Sequence, residues 1–284
     1  MPVGRRAGPR DPGVGGRPAV TSGPTVDDEN AAFWNELCGT SLARQVGVTG
    51  RSADDLRRFD DAYLHFYPYL DRYLPEDLTG ERVLEVGLGY GTLGQVIAER
   101  GAQYTGVDVA AGPVAMMRHR MVLIGRSDCE ARQASVLELP FDDAMFDRVV
   151  TVGCLHHTGD LRRAMTEVSR VLRPGGHALV MVYNKWSARR LLAGPALLLR
   201  RVIHRSGRAE AMRGLYDKDQ SGAAAPHTEF VSRRALRALF DGWRDVRIDR
   251  RNLSFGRIAF LRRPALTVGL DRIAGLDLYA QAVR

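Results

Sequence analysis

The sequence predicts an α/β protein in which helices flank a mostly parallel sheet of seven strands. From residue 82 to residue 183, short aliphatic runs typical of buried strands alternate with stretches of helical periodicity. A cluster of glycines directly follows the first of these runs, and two further runs with strand character close the chain. Strands that alternate with helices form parallel sheets, because each crossover helix packs against a face of the sheet.

The part of the chain before residue 79 is predicted to contain a tail and a helical cap. Residues 1–26 are rich in Gly, Pro and Arg and cannot bury enough apolar surface to fold, so they are predicted to be disordered. Residues 27–78 carry apolar and aromatic side chains at steps of three or four, which predicts the helices of the cap. Residues 79–284 are predicted to form the main domain, with a cap insertion over about 186–230.

The order of elements in the main domain follows from the same patterns. Strands are predicted at Arg82–Val86, Gln103–Val107, Cys129–Ala134, Phe146–Val152, His177–Tyr183, Trp243–Arg250 and Leu276–Val283. Helices are predicted at Thr92–Arg100, Pro113–Ile124, Leu161–Leu172, Ser187 to about Leu215, and Ser232–Phe240. Pro174, Gly175 and Gly176 predict a turn immediately before the fifth strand, because Pro and Gly interrupt regular structure.

Charge limits the classes of partner. The formal net charge is +8 and the pI is about 9.8, so a nucleic-acid partner has to be considered. No recognisable nucleic-acid-binding module accompanies this charge, and we expect a solvated basic surface rather than a nucleic-acid partner. Residues 187–215 mix Arg with Leu, Val and Ile, which fits a cap helix with a basic outer face or a helix that rests on an anionic membrane.

The sequence predicts a cytoplasmic protein. It contains no apolar run long enough to cross a bilayer, and its basic N-terminus lacks the apolar core of a secretory signal. The three cysteines, Cys38, Cys129 and Cys154, have neither CxxC nor metal-ligand spacing. This usage fits a reducing compartment and predicts no metal site.

The segment VLEVGLGYGT places three glycines between a predicted strand and a predicted helix. Glycine lets the backbone turn sharply and lets a ligand approach without meeting a Cβ. By itself the segment fits two nucleotide-binding patterns. Gly87, Gly89 and Gly91 form GxGxG, whereas Gly89, Gly91 and Gly94 form the GxGxxG of dinucleotide-binding proteins. Asp108, at the end of the second strand, fits the ribose-binding carboxylate of either pattern.

Features around this segment favour the GxGxG pattern. Glu85 lies on the strand two residues before the first glycine, and Gly89 comes too late to be a glycine that directly follows the strand. Downstream, the sequence contains the motifs LPF, FD, LHH and RVLRPGG, which begin at Leu139, Phe146, Leu155 and Arg170. With these motifs, the chain from about Tyr63 to Tyr183 resembles the class I S-adenosylmethionine-dependent methyltransferases. It is most similar to the subset that methylates small metabolites, quinones and sterol-like molecules.

The resemblance implies a Rossmann-like fold with a final antiparallel strand pair, and S-adenosylmethionine as the cofactor with S-adenosylhomocysteine as its product. It also implies that the glycine loop holds the amino-acid end of the cofactor and that Asp108 binds both ribose hydroxyls. Ser135 stands where the family commonly has an acidic residue that binds the adenine amino group. The implied cofactor-binding residues are Tyr63, Glu85, Gly87, Leu88, Gly89, Gly91, Asp108, Val109, Ser135 and Val136.

Methyl transfer from a sulfonium mainly needs alignment of the reacting atoms, and a general base matters only when the acceptor must lose a proton. The sequence leaves the acceptor atom open among O, N and C. His157, and after it His156, are candidate bases because they follow the fourth strand and imidazole titrates near neutrality. The residues predicted to contact a small-molecule acceptor are Phe33, Trp34, Tyr67, Tyr183 and His227.

The expected function is therefore methylation of a small-molecule intermediate in the biosynthesis of a secondary metabolite, a quinone or a lipid-like compound. A cyclase that binds S-adenosylmethionine without transferring its methyl group would have the same motifs. A nucleic-acid methyltransferase should carry an Asn-Pro-Pro-Tyr-like element after the fourth strand, where this chain has VGCLH. A nicotinamide oxidoreductase would use the GxGxxG pattern instead.

Overall fold

One sheet of seven strands organises the part of the chain that the structure describes. The structure is a computed structural model that describes residues 24–36, 41–192, 207–253 and 271–284. The strands are β1 (Arg82–Val86), β2 (Gln103–Asp108), β3 (Glu130–Gln133), β4 (Phe146–Val152), β5 (Leu172–Tyr183), β6 (Arg244–Arg251) and β7 (Asp277–Val283). Neighbouring strands follow the order β3-β2-β1-β4-β5-β7-β6. The first five strands pair in parallel, whereas β7 is antiparallel to both β5 and β6.

Helices precede the sheet, connect its strands and cover both of its faces. Within the described ranges, these α-helices are α1 (Val26–Trp34), α2 (Ser41–Gln45), α3 (Ala53–Phe66), α4 (Thr92–Glu99), α5 (Ala111–Leu123), α6 (Leu161–Val171), α7 (Arg208–Arg213), α8 (Arg233–Ala238) and α9 (Asp271–Ala274). Two short 3-10 helices lie at Leu70–Tyr73 and Leu155–His157. The segment α1–α3 comes before β1 and supplies the helices of the predicted cap region.

Strand β1 shows why this sequence forms a central strand. Its side chains alternate between two hydrophobic cores, because successive residues of a strand point to opposite faces of the sheet. Val83 packs in the core that contains α4 and α5 side chains, and Leu84 packs in the core beneath α6. Both side chains are fully buried. Burial on both faces explains why Val83, Leu84 and Val86 are apolar, whereas Glu85 is a buried polar residue within the same strand.

The predicted fold class is confirmed. The structure contains the seven-stranded, mostly parallel sheet with helices on both faces, and its last two strands form the expected antiparallel pair. β1 and β4 have the predicted bounds, and the other strands of the parallel part differ by a residue or two, apart from β5.

The predicted boundary of the fifth strand is wrong. β5 begins at Leu172, and its pairing with β4 then passes from Leu172 to His177, so the residues between form a bulge. Gly175 has φ +76° in this bulge. Backbone hydrogen bonds tie the bulge to the end of the chain, with Gly175 donating to Arg284 and Arg284 donating to Gly176. This pairing with a distant segment overrides the local preference of Pro-Gly-Gly for a free turn.

The first helix begins inside the predicted tail. α1 starts at Val26 because Thr25 caps it: the Thr25 hydroxyl accepts from the Asp28 amide, and the Asp28 carboxylate accepts from the Thr25 amide. Such reciprocal capping satisfies two amide groups that a helix start would otherwise leave without partners. The remainder of the tail (residues 1–23), Cys38 and about half of the predicted basic helix (residues 193–206) lie outside the described residues.

Within the described ranges, none of the helices combines the length and the apolar character that a membrane crossing requires.

Candidate functional site

A cavity of about 260 Å³ lies at the carboxyl ends of β1, β2, β4 and β5. Open α/β sheets bind ligands at this edge, because the loops that leave the strands diverge there. The loops after β1, β2 and β4 form its walls, and α1 and α3 of the cap region close it from the other side. Predicted site residues that line the cavity are Trp34, Tyr63, Tyr67, Glu85, Gly87, Leu88, Gly89, Asp108, Val109, Ser135, Val136, His157 and Tyr183.

The glycine loop turns directly from β1 into α4. Gly87, Gly89 and Gly91 have φ values of +85°, +49° and +76°, a backbone region that side chains strongly disfavour. A Cβ on Gly87 would lie 2.5 Å from the Cβ of Cys154, so this glycine also permits close packing against the loop after β4. A Cβ on Gly89 would meet no atom within 4 Å, because this residue borders the cavity. The loop thus presents bare backbone to a ligand.

Asp108 ends β2 and faces the same cavity. Its Oδ2 accepts a hydrogen bond of 2.8 Å from the Leu88 amide, and its Oδ1 accepts one of 2.9 Å from the Ala110 amide. Burial raises the pKa of Asp108 to about 6, although these backbone donors oppose the shift. Each carboxylate oxygen has two acceptor sites, so both oxygens keep capacity for a further donor. The arrangement can accept a pair of neighbouring hydroxyl groups.

Glu85 lies beneath the glycine loop, on β1. It is 2% exposed, and the Tyr104 hydroxyl donates a hydrogen bond of 2.5 Å to its Oε2. Burial raises the pKa of Glu85 to about 8, against the effect of the Tyr104 hydroxyl. A Cβ on Gly94 would collide with the Glu85 carboxyl and the Tyr104 hydroxyl. Gly94 is therefore needed for the packing of α4 on the sheet. The glycines of the loop itself are Gly87, Gly89 and Gly91, which form the GxGxG pattern.

A buried ion pair, which the sequence patterns did not single out, fixes the glycine loop to the cap. Arg120 of α5 is fully buried, and its NH1 and NH2 groups each lie 2.8 Å from the carboxylate of Asp60 in α3. The Arg120 Nε donates to the carbonyl of Tyr90, and the Thr92 hydroxyl donates to Asp60. Each partner is bonded to several others, as a buried charge requires. The network positions Tyr90 inside the loop.

The opposite wall contains the residues expected near adenine. Ser135 and Val136 follow β3 and line the cavity together with Val109. The Ser135 hydroxyl accepts a hydrogen bond of 3.1 Å from the Leu137 amide, so one of its two acceptor sites is used within its own turn. The Gln133 side chain donates to the carbonyl of Val109, which fixes the segment after β2.

Helix α1 covers the site, and side-chain contacts attach it to the main domain. Asn30 is 4% exposed, and its amide donates a hydrogen bond of 2.8 Å to the carbonyl of His157. The ring centroids of Trp34 and His157 are 4.9 Å apart. Glu29 pairs with His227 at 2.9 Å, on the outer side of the helix. These contacts place Trp34 and Asn30 on the cavity wall.

His157 is the predicted base that the structure places in the cavity. Its side chain is 4% exposed, and its Nδ1 lies 2.7 Å from the carbonyl oxygen of His227. Burial lowers the pKa of His157, and the nearby Asp217 opposes this shift. The Asp217 Oδ2 is 3.7 Å from Nε2 of His157, and the Tyr183 hydroxyl donates to Asp217 Oδ1 at 3.2 Å. The side chains of His157, Asp217 and Tyr183 therefore form one cluster.

Sequence reasoning missed Asp217. It lies in the loop between α7 and α8, about sixty residues from His157 along the chain, and no motif marks it. Its side chain is 20% exposed, and burial raises its pKa. A carboxylate in a polar loop is normally solvent-exposed, so only the fold of this loop over β5 reveals it as part of the site.

Four predicted site residues do not line the cavity. Gly91 packs against Arg120 instead. The ring of Phe33 contacts the ring of Trp34. His156 is 1% exposed and packs between His157 and Tyr183, with ring centroids 4.2 and 4.1 Å away. The side chain of His227 pairs with Glu29, and it is the main-chain carbonyl of His227 that contacts the candidate base.

The family of proteins described as "Methyltransferase domain" matches residues 84–180, which include the glycine loop, Asp108 and His157. A fatty-acid O-methyltransferase of Mycolicibacterium smegmatis is 35% identical over 156 residues, which are 54% of this chain and 53% of the relative. A demethylmenaquinone methyltransferase of Tropheryma whipplei is 33% identical over 110 residues, or 37% of this chain and 43% of the relative. The chain spans about half the length of these curated relatives.

Solved structures share the fold. The geranyl diphosphate C-methyltransferase of Streptomyces coelicolor A3(2) has a TM-score of 0.56 at 13% identity, over 92% of this chain and 98% of that one. An S-adenosylmethionine-dependent methyltransferase of Mesorhizobium loti has a TM-score of 0.51 at 21% identity, over 77% of this chain and 97% of that one.

Residues 84–180 thus match a methyltransferase domain, and the relatives that the chain resembles over about half of their length are methyltransferases. The cofactor of this family is S-adenosylmethionine. No cluster of His, Cys, Asp and Glu with the geometry of a metal site occurs among the residues that the structure describes.

Proposed function

We propose that this protein transfers the methyl group of S-adenosylmethionine to a small-molecule acceptor held in the cavity at the carboxyl edge of the sheet. The observation that carries the proposal is the pairing of a bare glycine loop with a buried carboxylate on one cavity wall. Gly89 offers backbone without a Cβ, and Asp108 offers two oxygens with remaining acceptor capacity. An adenosyl compound supplies the two adjacent ribose hydroxyls that such a carboxylate can accept.

The residues present fit the cofactor. Asp108 would bind the ribose, Val109 and Val136 would pack on the adenine, and the loop from Gly87 to Gly89 would contact the amino-acid end. When bound, the cofactor supplies an activated methyl group on a positively charged sulfur. Since Asp108 is already hydrogen-bonded to the loop, the site has little reorganisation left to do when a ligand enters.

The protein contributes alignment and exclusion of water. The cap residues Trp34, Tyr63 and Tyr67 close the cavity over the proposed transfer site, and their rings offer an apolar, aromatic surface to the acceptor. Such positioning can account for about 7–11 kcal/mol of a reaction barrier. The relatives named above act on a fatty acid and on demethylmenaquinone, which supports an apolar or aromatic acceptor here.

Two measurements test the proposal. Calorimetric titration of the folded protein with S-adenosylhomocysteine should show one site per chain, and a result without heat of binding overturns the proposal. Methyl-labelled S-adenosylmethionine should then pass its label to an extractable product when phenols, carboxylic acids and amines are supplied as acceptors. Binding without label transfer to any of these would favour a protein that uses the cofactor as a structural ligand.

A further inference from the structure

Two buried polar atoms without hydrogen-bond partners belong to residues that line the cavity. They are Nε2 of His157 and Oδ2 of Asp217, and neither has a partner within the described parts of the chain. The two atoms lie 3.7 Å apart. Buried polar atoms are nearly always paired, because leaving one without a partner costs about 1–3 kcal/mol. This pair of atoms therefore indicates a group that a ligand brings into the cavity.

The backbone fixes which nitrogen of His157 carries hydrogen. Nδ1 lies 2.7 Å from the carbonyl oxygen of His227, and a carbonyl can only accept. The Thr228 hydroxyl, 3.3 Å from Nδ1, donates its own hydrogen to the same carbonyl. In the neutral ring, Nδ1 is therefore protonated and the lone pair is on Nε2, the nitrogen that lies 3.7 Å from Asp217. A lone pair in this position accepts a proton from a bound molecule.

One charged neighbour, Asp217, favours protonation of His157 during a reaction. Asp217 faces Nε2, and the Tyr183 hydroxyl stabilises the charged form of Asp217 by donating to its other oxygen. His156 and His227 are the other titratable groups that affect His157, and the effect of each is to oppose a positive charge there. Asp217 is the one carboxylate in contact range of Nε2 in the structure as described.

The same pair selects among acceptors. An anionic carboxylate would be repelled by Asp217. An ammonium group could reach both atoms, but its nitrogen has no lone pair for attack while it is protonated. A hydroxyl group keeps lone pairs for the attack while its hydrogen points to Nε2. We propose, building on the methyl transfer proposed above, that His157 and Asp217 form a proton-accepting pair that directs the enzyme to a neutral hydroxyl acceptor.

In the proposed methyl transfer, the acceptor oxygen forms a bond to the methyl carbon, the carbon–sulfur bond breaks, and its electron pair stays on the sulfur. The hydroxyl proton moves to Nε2 of His157, and Asp217 stabilises the resulting imidazolium across 3.7 Å. His157 is the catalytic base, and Asp217 acts through it as a positioning residue.

NMR of the full chain with ¹³C- and ¹⁵N-labelled histidine tests the pair without turnover. The ¹⁵N shifts of neutral His157 should report hydrogen on Nδ1, and hydrogen on Nε2 overturns the proposal. In Asp217→Asn, the pKa of His157 should fall by about 1, because an opposite charge within about 4–6 Å shifts a pKa by at least this much. Asp219→Asn, an exposed carboxylate two residues away, is the matched control and should leave the His157 pKa unchanged.

Three probes of equal size test the acceptor class in protein saturated with S-adenosylhomocysteine. 4-Ethylphenol should shift the His157 resonances, whereas 4-ethylbenzoate should leave them unchanged at the same concentration. The cationic 4-ethylbenzylamine can approach Asp217, so it is tested by label transfer from methyl-labelled S-adenosylmethionine, which should not occur. An unchanged spectrum with the phenol, a shift with the benzoate, or label transfer to the amine overturns the proposal. Failure of S-adenosylhomocysteine to bind would instead refute the proposed methyl transfer. The tautomer and pKa of His157 are measured both with and without that ligand, so the two failures can be told apart.

Discussion

Replacing Asp108 by Asn tests the central contact of the proposed cofactor site. The substitution keeps the size of the side chain but removes its charge and leaves one acceptor oxygen where the aspartate has two. The side-chain nitrogen introduced by the substitution faces either the Leu88 or the Ala110 backbone amide. In the wild type, both backbone amides donate to Asp108. The ribose hydroxyls lose one charge-assisted hydrogen bond, and the other becomes a weaker neutral one.

The expected loss follows from these bonds. A hydrogen bond to a charged group contributes about 1.5–3 kcal/mol, so we expect Asp108→Asn to weaken S-adenosylhomocysteine binding by about 3 kcal/mol, or roughly 100-fold in Kd. The wild-type affinity should also depend on pH. The ligand requires the carboxylate form of Asp108, and burial raises the pKa of Asp108 to about 6. Lowering the pH from 7 to 5 should therefore weaken binding by about tenfold.

Isothermal titration calorimetry between pH 5 and 7 measures both effects. Asp108→Asn should lose the wild-type pH dependence as well as the affinity, because the titrating group is gone. Asp241→Asn removes an exposed carboxylate in the loop before β6 and should retain wild-type affinity and pH dependence. A Kd for Asp108→Asn within threefold of wild type, or a wild-type affinity that is constant over this pH range, would refute the assignment of Asp108 to the ribose.

Three further substitutions test the loop and its supports by denaturant unfolding and S-adenosylhomocysteine titration. Gly94→Ala should lower the free energy of unfolding by about 1–3 kcal/mol, since the new Cβ collides with Glu85; an unchanged stability would contradict that packing. Arg120→Met should cost about 3–5 kcal/mol because it leaves Asp60 uncompensated, and a loss below 1 kcal/mol would show that the pair is dispensable. Gly89→Ala should fold with a strain of about 1–3 kcal/mol yet bind the ligand more weakly, and undiminished affinity would place the ligand elsewhere.

The parallel sheet was predictable because its signals are local. β1 and β4 are buried along most of their length, so apolar residues predominate in both sequences, although Glu85 interrupts β1 and Asp147 and Arg148 interrupt β4. This signal needs no knowledge of the neighbouring strands. The glycine loop was predictable for the same reason, since positive φ values at Gly87, Gly89 and Gly91 restrict the residue type at each position. Strand order placed Asp108 beside this loop, as the spacing along the chain had indicated.

Predictions were less accurate where a distant segment decides the local structure. Pro174, Gly175 and Gly176 carry a strong turn signal, but their pairing with the end of the chain draws them into β5. His156 and His157 are adjacent and chemically identical in the sequence. The structure buries His156 between aromatic rings and turns His157 toward the cavity, a distinction that no spacing rule contains.

The sequence by itself determined the class of fold and the nucleotide-binding edge, because strand burial, glycine conformation and the order of motifs are properties of short segments. Only the tertiary structure decided what surrounds His157. Asp217 comes from a loop far along the chain, and the His227 carbonyl that fixes the His157 tautomer belongs to the same loop. Their effect on a buried imidazole depends on distances of a few ångströms, and electrostatic interactions at that range arise only when separate segments fold together.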